Sequence, residues 1–165
     1  MNPRIQKIVA RFSAKNIAAD RRAALEPLAD FIQKKRDAGL PVRLNFICTH
    51  NSARSQMAEA LFRKLSRGRA DVFSAGGSPA TEVHPLALDV LRTRFSVDTA
   101  DLFPKHLDRF RGDRFDYVIT VCDRTAETCP TFPGDPERIH WSFDDPVKGN
   151  GEEAQRRAFE LVANG

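Results

Sequence analysis

Three cysteines, Cys48, Cys122 and Cys129, stand where a thiol relay needs them. Cys48 opens the run Cys-Thr-His-Asn-Ser-Ala-Arg-Ser, a Cys-x5-Arg loop that closes on Arg54. A thiolate at one end of such a loop and a guanidinium at the other can enclose a tetrahedral oxyanion. The backbone of Thr49, His50, Asn51, Ser52, Ala53, Arg54 and Ser55 would converge on its oxygens. A free thiol titrates at about pH 8.5, and helix-end N–H groups together with a guanidinium are expected to lower that value and leave a nucleophilic thiolate. Arginine adds a planar fork that binds two oxygens at once and follows them into a trigonal bipyramidal transition state. Asn51 tolerates the left-handed backbone that a tight cradle requires, and the Ser52 and Ser55 hydroxyls can lock its side chain or stabilise the thiolate. The plainer alternative for Cys48 is a buried structural thiol at a strand end. Zinc is the rival use of Cys122 and Cys129, but Cys-x6-Cys is wider than the usual ligand spacing, so no metal or other cofactor is expected.

The elements around these residues read as alternating strands and helices from Pro41 onward. Val42 to Cys48 is a short apolar run that ends in small polar residues, as a parallel strand does on entering a functional loop. Ser55 to Ser66 reads as a helix with Met57, Ala58, Ala60, Leu61, Phe62 and Leu65 on its buried side. Asp71 to Ser74 reads as a strand, and His84 to Phe95 as a helix entered at Pro85. Phe115 to Val121, rich in aromatic and β-branched residues, is a strand that runs directly into Cys122. Arg138 to Trp141 and Glu152 to Ala163 complete the series as a strand and a helix. The order predicts a three-layer α/β domain with a four-stranded parallel sheet over 41–165, its functional loops gathered at the strands' carboxyl ends.

Residues 1–40 read as a helical N-terminal extension. Ile5, Ile8, Val9 and Phe12 recur at helical spacing, and Leu25, Leu28, Phe31 and Ile32 do so again after Asp20, before Gly39 and Pro41 close the segment. These helices are expected to pack on the main body or on a second subunit as a homodimer contact, the alternatives being a targeting role or a dedicated partner-binding arm.

A chain of 165 residues with 41% hydrophobic content can fill one core. The net charge of +4 and pI near 9.2 favour anionic ligands. The basic residues are scattered rather than gathered, which argues against nucleic acid as a partner. No apolar stretch is long enough to span a bilayer, so no membrane partner is expected. Met1 to Lys15 is basic and free of acids, as an organellar presequence would be, yet the cytoplasm is the default location. An odd cysteine count suits reactive intracellular thiols better than a disulfide framework.

Phe46-Ile-Cys-Thr-His-Asn-Ser-Ala-Arg-Ser-Gln-Met-Ala-Glu59, Phe73-Ser-Ala-Gly76, Asp116-Tyr-Val-Ile-Thr-Val-Cys122 with Cys129-Pro130, and His140-Trp-Ser-Phe-Asp-Asp-Pro146 follow in order. Together they resemble arsenate reductases of the low-molecular-weight tyrosine phosphatase superfamily. The resemblance covers Val42 to the C-terminus and implies that Cys48 attacks arsenate held by the loop and Arg54. It implies further that Cys122 attacks Cys48 and releases arsenite, and that Cys129 then attacks Cys122, leaving a Cys122–Cys129 disulfide for thioredoxin. Asp145, before Pro146, matches the superfamily's general acid, with Asp144 as its adjacent alternative. Ser74 matches the serine that steadies the loop asparagine. Some members bind a monovalent cation through an asparagine, a glutamate, a serine and an aspartate. Asn51, Glu59 and Ser74 match three of these, but Lys105 falls at the fourth position, where a buried ammonium would repel the ion.

Two other functions compete. A phosphotyrosine phosphatase would use Cys48, Arg54 and Asp145 without resolving thiols, on a phosphate-like oxyanion. Here Val147, Lys148 and Gly149 follow the Asp-Pro where aromatic residues grip the substrate ring in eukaryotic-type enzymes. A binding or sensing module would hold an oxyanion or respond to oxidation without turnover.

Overall fold

The computed structural model describes residues 19–123 and 131–164. Four strands make one parallel sheet: β1 (Val42–Cys48), β2 (Ala70–Gly76), β3 (Tyr117–Thr120) and β4 (Glu137–His140), in the order β2-β1-β3-β4. Among the described residues the α-helices are α1 (Ala19–Asp37), α2 (Arg54–Ser66), α3 (Pro85–Phe95) and α4 (Glu152–Asn164). The strands and helices predicted from Val42 onward are thus present, their ends shifted by a residue or two.

The inner strands β1 and β3 are apolar because both of their faces are covered, as in other parallel sheets. Leu44, Phe46, Ile47, Val118 and Ile119 are fully buried. The Leu44 and Phe46 side packs against α1 and α2, with Leu25, Leu28, Phe31, Ala58 and Phe62 in the same cluster. The opposite side holds Ile47 and Val118 against Phe110, Phe115 and Phe132, which meet in edge-to-face aromatic pairs. Truncating Phe46 to alanine would therefore cost about 3–5 kcal/mol.

Helix α1 continues through Pro27 and is tied to the sheet near its C-terminal end. Phe31 meets the Tyr117 ring edge-on at 5.1 Å, and Lys35 Nζ lies 3.3 Å from Asp116 Oδ1. The other Asp116 oxygen accepts from Arg43 N at 2.8 Å, joining the helix, β1 and the start of β3. The earlier helix expected around Ile5 to Phe12 lies outside the described residues. One buried-side expectation on α2 fails: Leu65 is 41% exposed. In its place Gln56 and Glu59, both polar, are buried at the helix's loop-facing end.

In this strand order the chain leaves β1 toward β2 on one side, and β3 lies on the other. The loops that follow β1 and β3 therefore diverge, and a crevice opens between them at the carboxyl ends of the strands. Val121 N donates to Ile47 O at 2.9 Å, so Cys48 and Cys122 each emerge one step beyond this last rung.

Candidate active site

Cys48 ends β1, is buried, and accepts a hydrogen bond at Sγ from Asn51 N at 3.0 Å. Ser55 Oγ lies 2.9 Å from the same sulfur. Asn51 turns the loop with φ 48°, the left-handed conformation that asparagine tolerates better than most residues. Its amide is fully partnered. Nδ2 donates to Ser55 Oγ and Ser74 Oγ, both at 2.8 Å, while Oδ1 accepts from Gln56 Nε2 at 3.0 Å and from Lys105 N at 2.8 Å. The lock on Asn51 is thus Ser55 and Ser74, and Ser52 contributes its carbonyl, which accepts from His84 N at 2.8 Å.

Gly76 makes this close packing of β2 against the loop feasible. A Cβ at that position would lie 2.6 Å from Thr49 O and 2.9 Å from Asn51 N. Beneath the loop, Glu59 Oε2 accepts from the Ser74 hydroxyl and from Lys105 Nζ, the latter at 3.0 Å. Arg63 pairs with the other Glu59 oxygen. The Lys105 ammonium also donates to Phe103 O at 3.0 Å. The ammonium thus shares Glu59 Oε2 with the Ser74 hydroxyl that supports Asn51.

Helix α2 begins at Arg54, and no side chain caps the Ala53 end. The N–H groups of its first turn are thus the donors a helix presents to an anion. Arg54 reaches across the crevice: Nη1 donates to Phe143 O at 2.7 Å, and Nη2 lies 4.0 Å from Asp145 Oδ2. Asp145 Oδ1 also accepts from Val147 N at 3.2 Å, capping the short 3-10 turn Pro146–Lys148. Thr49, His50, Arg54, Cys122, Asp123, Asp144, Asp145 and Lys148 line one cleft of about 270 Å³. Thr49 Oγ1 stands 3.5 Å from Cys122 Sγ, linking the loop to the second thiol.

The thiol Cys48 departs from expectation. Burial pushes its pKa up, and the hydrogen bonds from Ser55 and Asn51 only partly pull it back. The guanidinium expected to lower it is instead engaged by Phe143 O and Asp145. Cys129 lies outside the described residues. The sequence reading missed Gln56, which bridges Asn51 O and Phe103 O, and also the Phe143 carbonyl that anchors Arg54. A polar residue directly after Arg54-Ser55 on a helix otherwise apolar at that level was the available signal for Gln56; a carbonyl has none. Among the described residues no cluster of His, Cys, Asp and Glu is arranged to hold a metal, and no helix is long and apolar enough to cross a membrane.

Comparison with known proteins agrees with this geometry. Residues 43–164 match the family described as low molecular weight phosphotyrosine protein phosphatase. The arsenate reductase of Halalkalibacterium halodurans is 37% identical over 113 residues, which span 68% of this chain and 80% of that protein. Among solved structures, a thioredoxin-dependent arsenate reductase of Corynebacterium glutamicum covers 96% of this chain and 79% of its own, with 30% identity and a TM-score of 0.54. The arsenate reductase of Archaeoglobus fulgidus aligns with 73% of this chain and 92% of its own, at 32% identity and a TM-score of 0.58.

Proposed function

This chain belongs to the low molecular weight phosphotyrosine protein phosphatase family, and from that premise we propose that it reduces arsenate to arsenite through a relay of its three thiols. The observation that carries the reading is the second thiol: Cys122 Sγ faces the Cys48 loop across Thr49 Oγ1, in the same cleft as Arg54 and Asp145. A phosphatase has no use for a thiol there.

The Cys48 thiolate attacks arsenic held by Arg54 and the N–H groups at the start of α2, and Asp145 protonates the departing oxygen, which leaves as water. The product is a Cys48 thioester of arsenate. Cys122, as thiolate, then attacks the Cys48 sulfur. An S–S bond forms, the S–As bond breaks, and its electron pair stays on arsenic, which leaves as arsenite. Cys129 next attacks the Cys122 sulfur, freeing Cys48 as thiolate and leaving a Cys122–Cys129 disulfide. A dithiol protein of the thioredoxin class reduces that disulfide, a choice supported by the described thioredoxin dependence of the Corynebacterium relative.

The experiment is arsenite production by the Cys129→Ser variant. A single equivalent of arsenite with no further turnover is the expected result, and full steady-state reduction would refute the relay. Hydrolysis of aryl phosphates is the second reading, favoured by Arg54 and Asp145 standing 4.0 Å apart across the cleft. Strong hydrolysis without arsenate-dependent thioredoxin oxidation would establish it instead.

A further inference from the structure

We propose that His140 is a positioning residue that acts on Cys122 through Asp123. This rests on the relay just described. His140 ends β4, in register with Thr120 at the end of β3. Its Nδ1 lies 2.9 Å from Thr120 Oγ1 and its Nε2 lies 3.1 Å from Asp123 Oδ1. A neutral imidazole with its proton on Nε2 satisfies both contacts, the threonine hydroxyl donating to Nδ1 and Nε2–H donating to the carboxylate. The ring therefore spans Thr120 to Asp123, clamping both sides of Val121 and Cys122.

Asp123 is held from a second direction as well. Hydrogen bonds from Ser142 and His140 keep its carboxyl below the usual carboxylate range. The peptide that follows Cys122 is thus anchored to the segment after β4, and Cys122 Sγ is presented to the loop at Thr49. Thiol exchange depends on alignment of the attacking sulfur with the S–As bond it displaces, so a small displacement of the peptide costs rate. The pair is exposed on Asp123's side, at 85%, and exposed polar side-chain pairs add little to global stability. That property separates placement of the thiol from mere support of the fold.

The test compares wild type with His140→Ala, His140→Gln and Asp123→Ala. His140→Ala should slow single-turnover arsenite release about tenfold, with thermal midpoint and inorganic phosphate affinity unchanged. The glutamine, which keeps a donor for Asp123, should recover most of the rate. His140→Ala combined with Asp123→Ala should be no slower than either alone. Closure of the Cys48–Cys122 disulfide by diamide in a Cys129→Ser background reads the same alignment without arsenate, so failure of the arsenate chemistry and failure of this inference register separately. Unchanged closure rates in His140→Ala would overturn the proposal. So would a parallel loss of phosphate affinity, which would locate the effect in the Arg54 contact with Phe143.

Discussion

Lys105 Nζ lies 3.0 Å from Glu59 Oε2, with both side chains buried beneath the Cys48 loop. Glu59 in turn accepts from the Ser74 hydroxyl that holds Asn51, so the ammonium sits at the base of the scaffold that shapes the loop. Burial lowers the Lys105 pKa, while the Glu59 carboxylate raises it again.

A tethered ammonium makes a monovalent cation superfluous. Replacing sodium by potassium at constant ionic strength should leave steady-state arsenate reduction unchanged. Lys105→Met should lower stability by about 3–5 kcal/mol by leaving Glu59 short of a buried partner, and Lys105→Met/Glu59→Gln should recover part of that loss. Urea denaturation of the three proteins checks both statements.

Asn51→Ala removes an amide that partners two hydroxyls, Gln56 and Lys105 N, and puts alanine at a positive φ. The expected loss is on the order of 3 kcal/mol of stability from the orphaned partners and the backbone. Phosphate affinity, measured by calorimetry, should fall with it.

Ser55→Ala withdraws the largest of the hydrogen bonds that oppose burial at Cys48. A hydrogen bond to sulfur favours the thiolate, so its removal raises the thiol pKa further and reduces the thiolate fraction at neutral pH. In a Cys122→Ser/Cys129→Ser background, the pH profile of iodoacetamide alkylation should move to higher pH. A shift to lower pH would contradict the assignment.

Arg54→Lys preserves charge but loses the fork that reaches both Phe143 O and the Asp145 carboxylate. Arsenate reduction should drop on the order of 100-fold with the fold intact, measured as kcat/KM against circular dichroism.

Asn45 is fully buried on β1, opposite Phe73 and Val118, and neither its Nδ2 nor its Oδ1 has a partner among the described residues. Asn45→Leu, nearly isosteric, should raise stability by about 1–2 kcal/mol, seen as a higher urea midpoint at constant slope.

How much of this was legible in the sequence depended on distance along the chain. Cys48 and Arg54 belong to one contiguous loop between a strand and a helix, so their meeting is a local matter and could be read directly. The strands were legible for the same reason: Val42 to Cys48 and Tyr117 to Thr120 are apolar because both of their faces are covered. The approach of Cys122 to Thr49, and of Lys105 to Glu59, depends on strand order and on a long connection, which periodicity does not encode. The direction of the Cys48 pKa depends on burial and on where the Arg54 side chain goes. A list of residue types carries neither. Leu65 was misplaced because a helix apolar over more than half its circumference leaves some of that surface uncovered.

The strand order β2-β1-β3-β4 has an evolutionary corollary. Because the ends of β1 and β3 are neighbours in any protein with this sheet, a thiol at the end of β3 already faces a nucleophile at the end of β1. Under the relay proposed above, conversion between hydrolytic and reductive chemistry on this scaffold would be a matter of side chains at one strand terminus and its following turn. The frame can stay untouched, and new catalytic branches are reachable by few mutational steps.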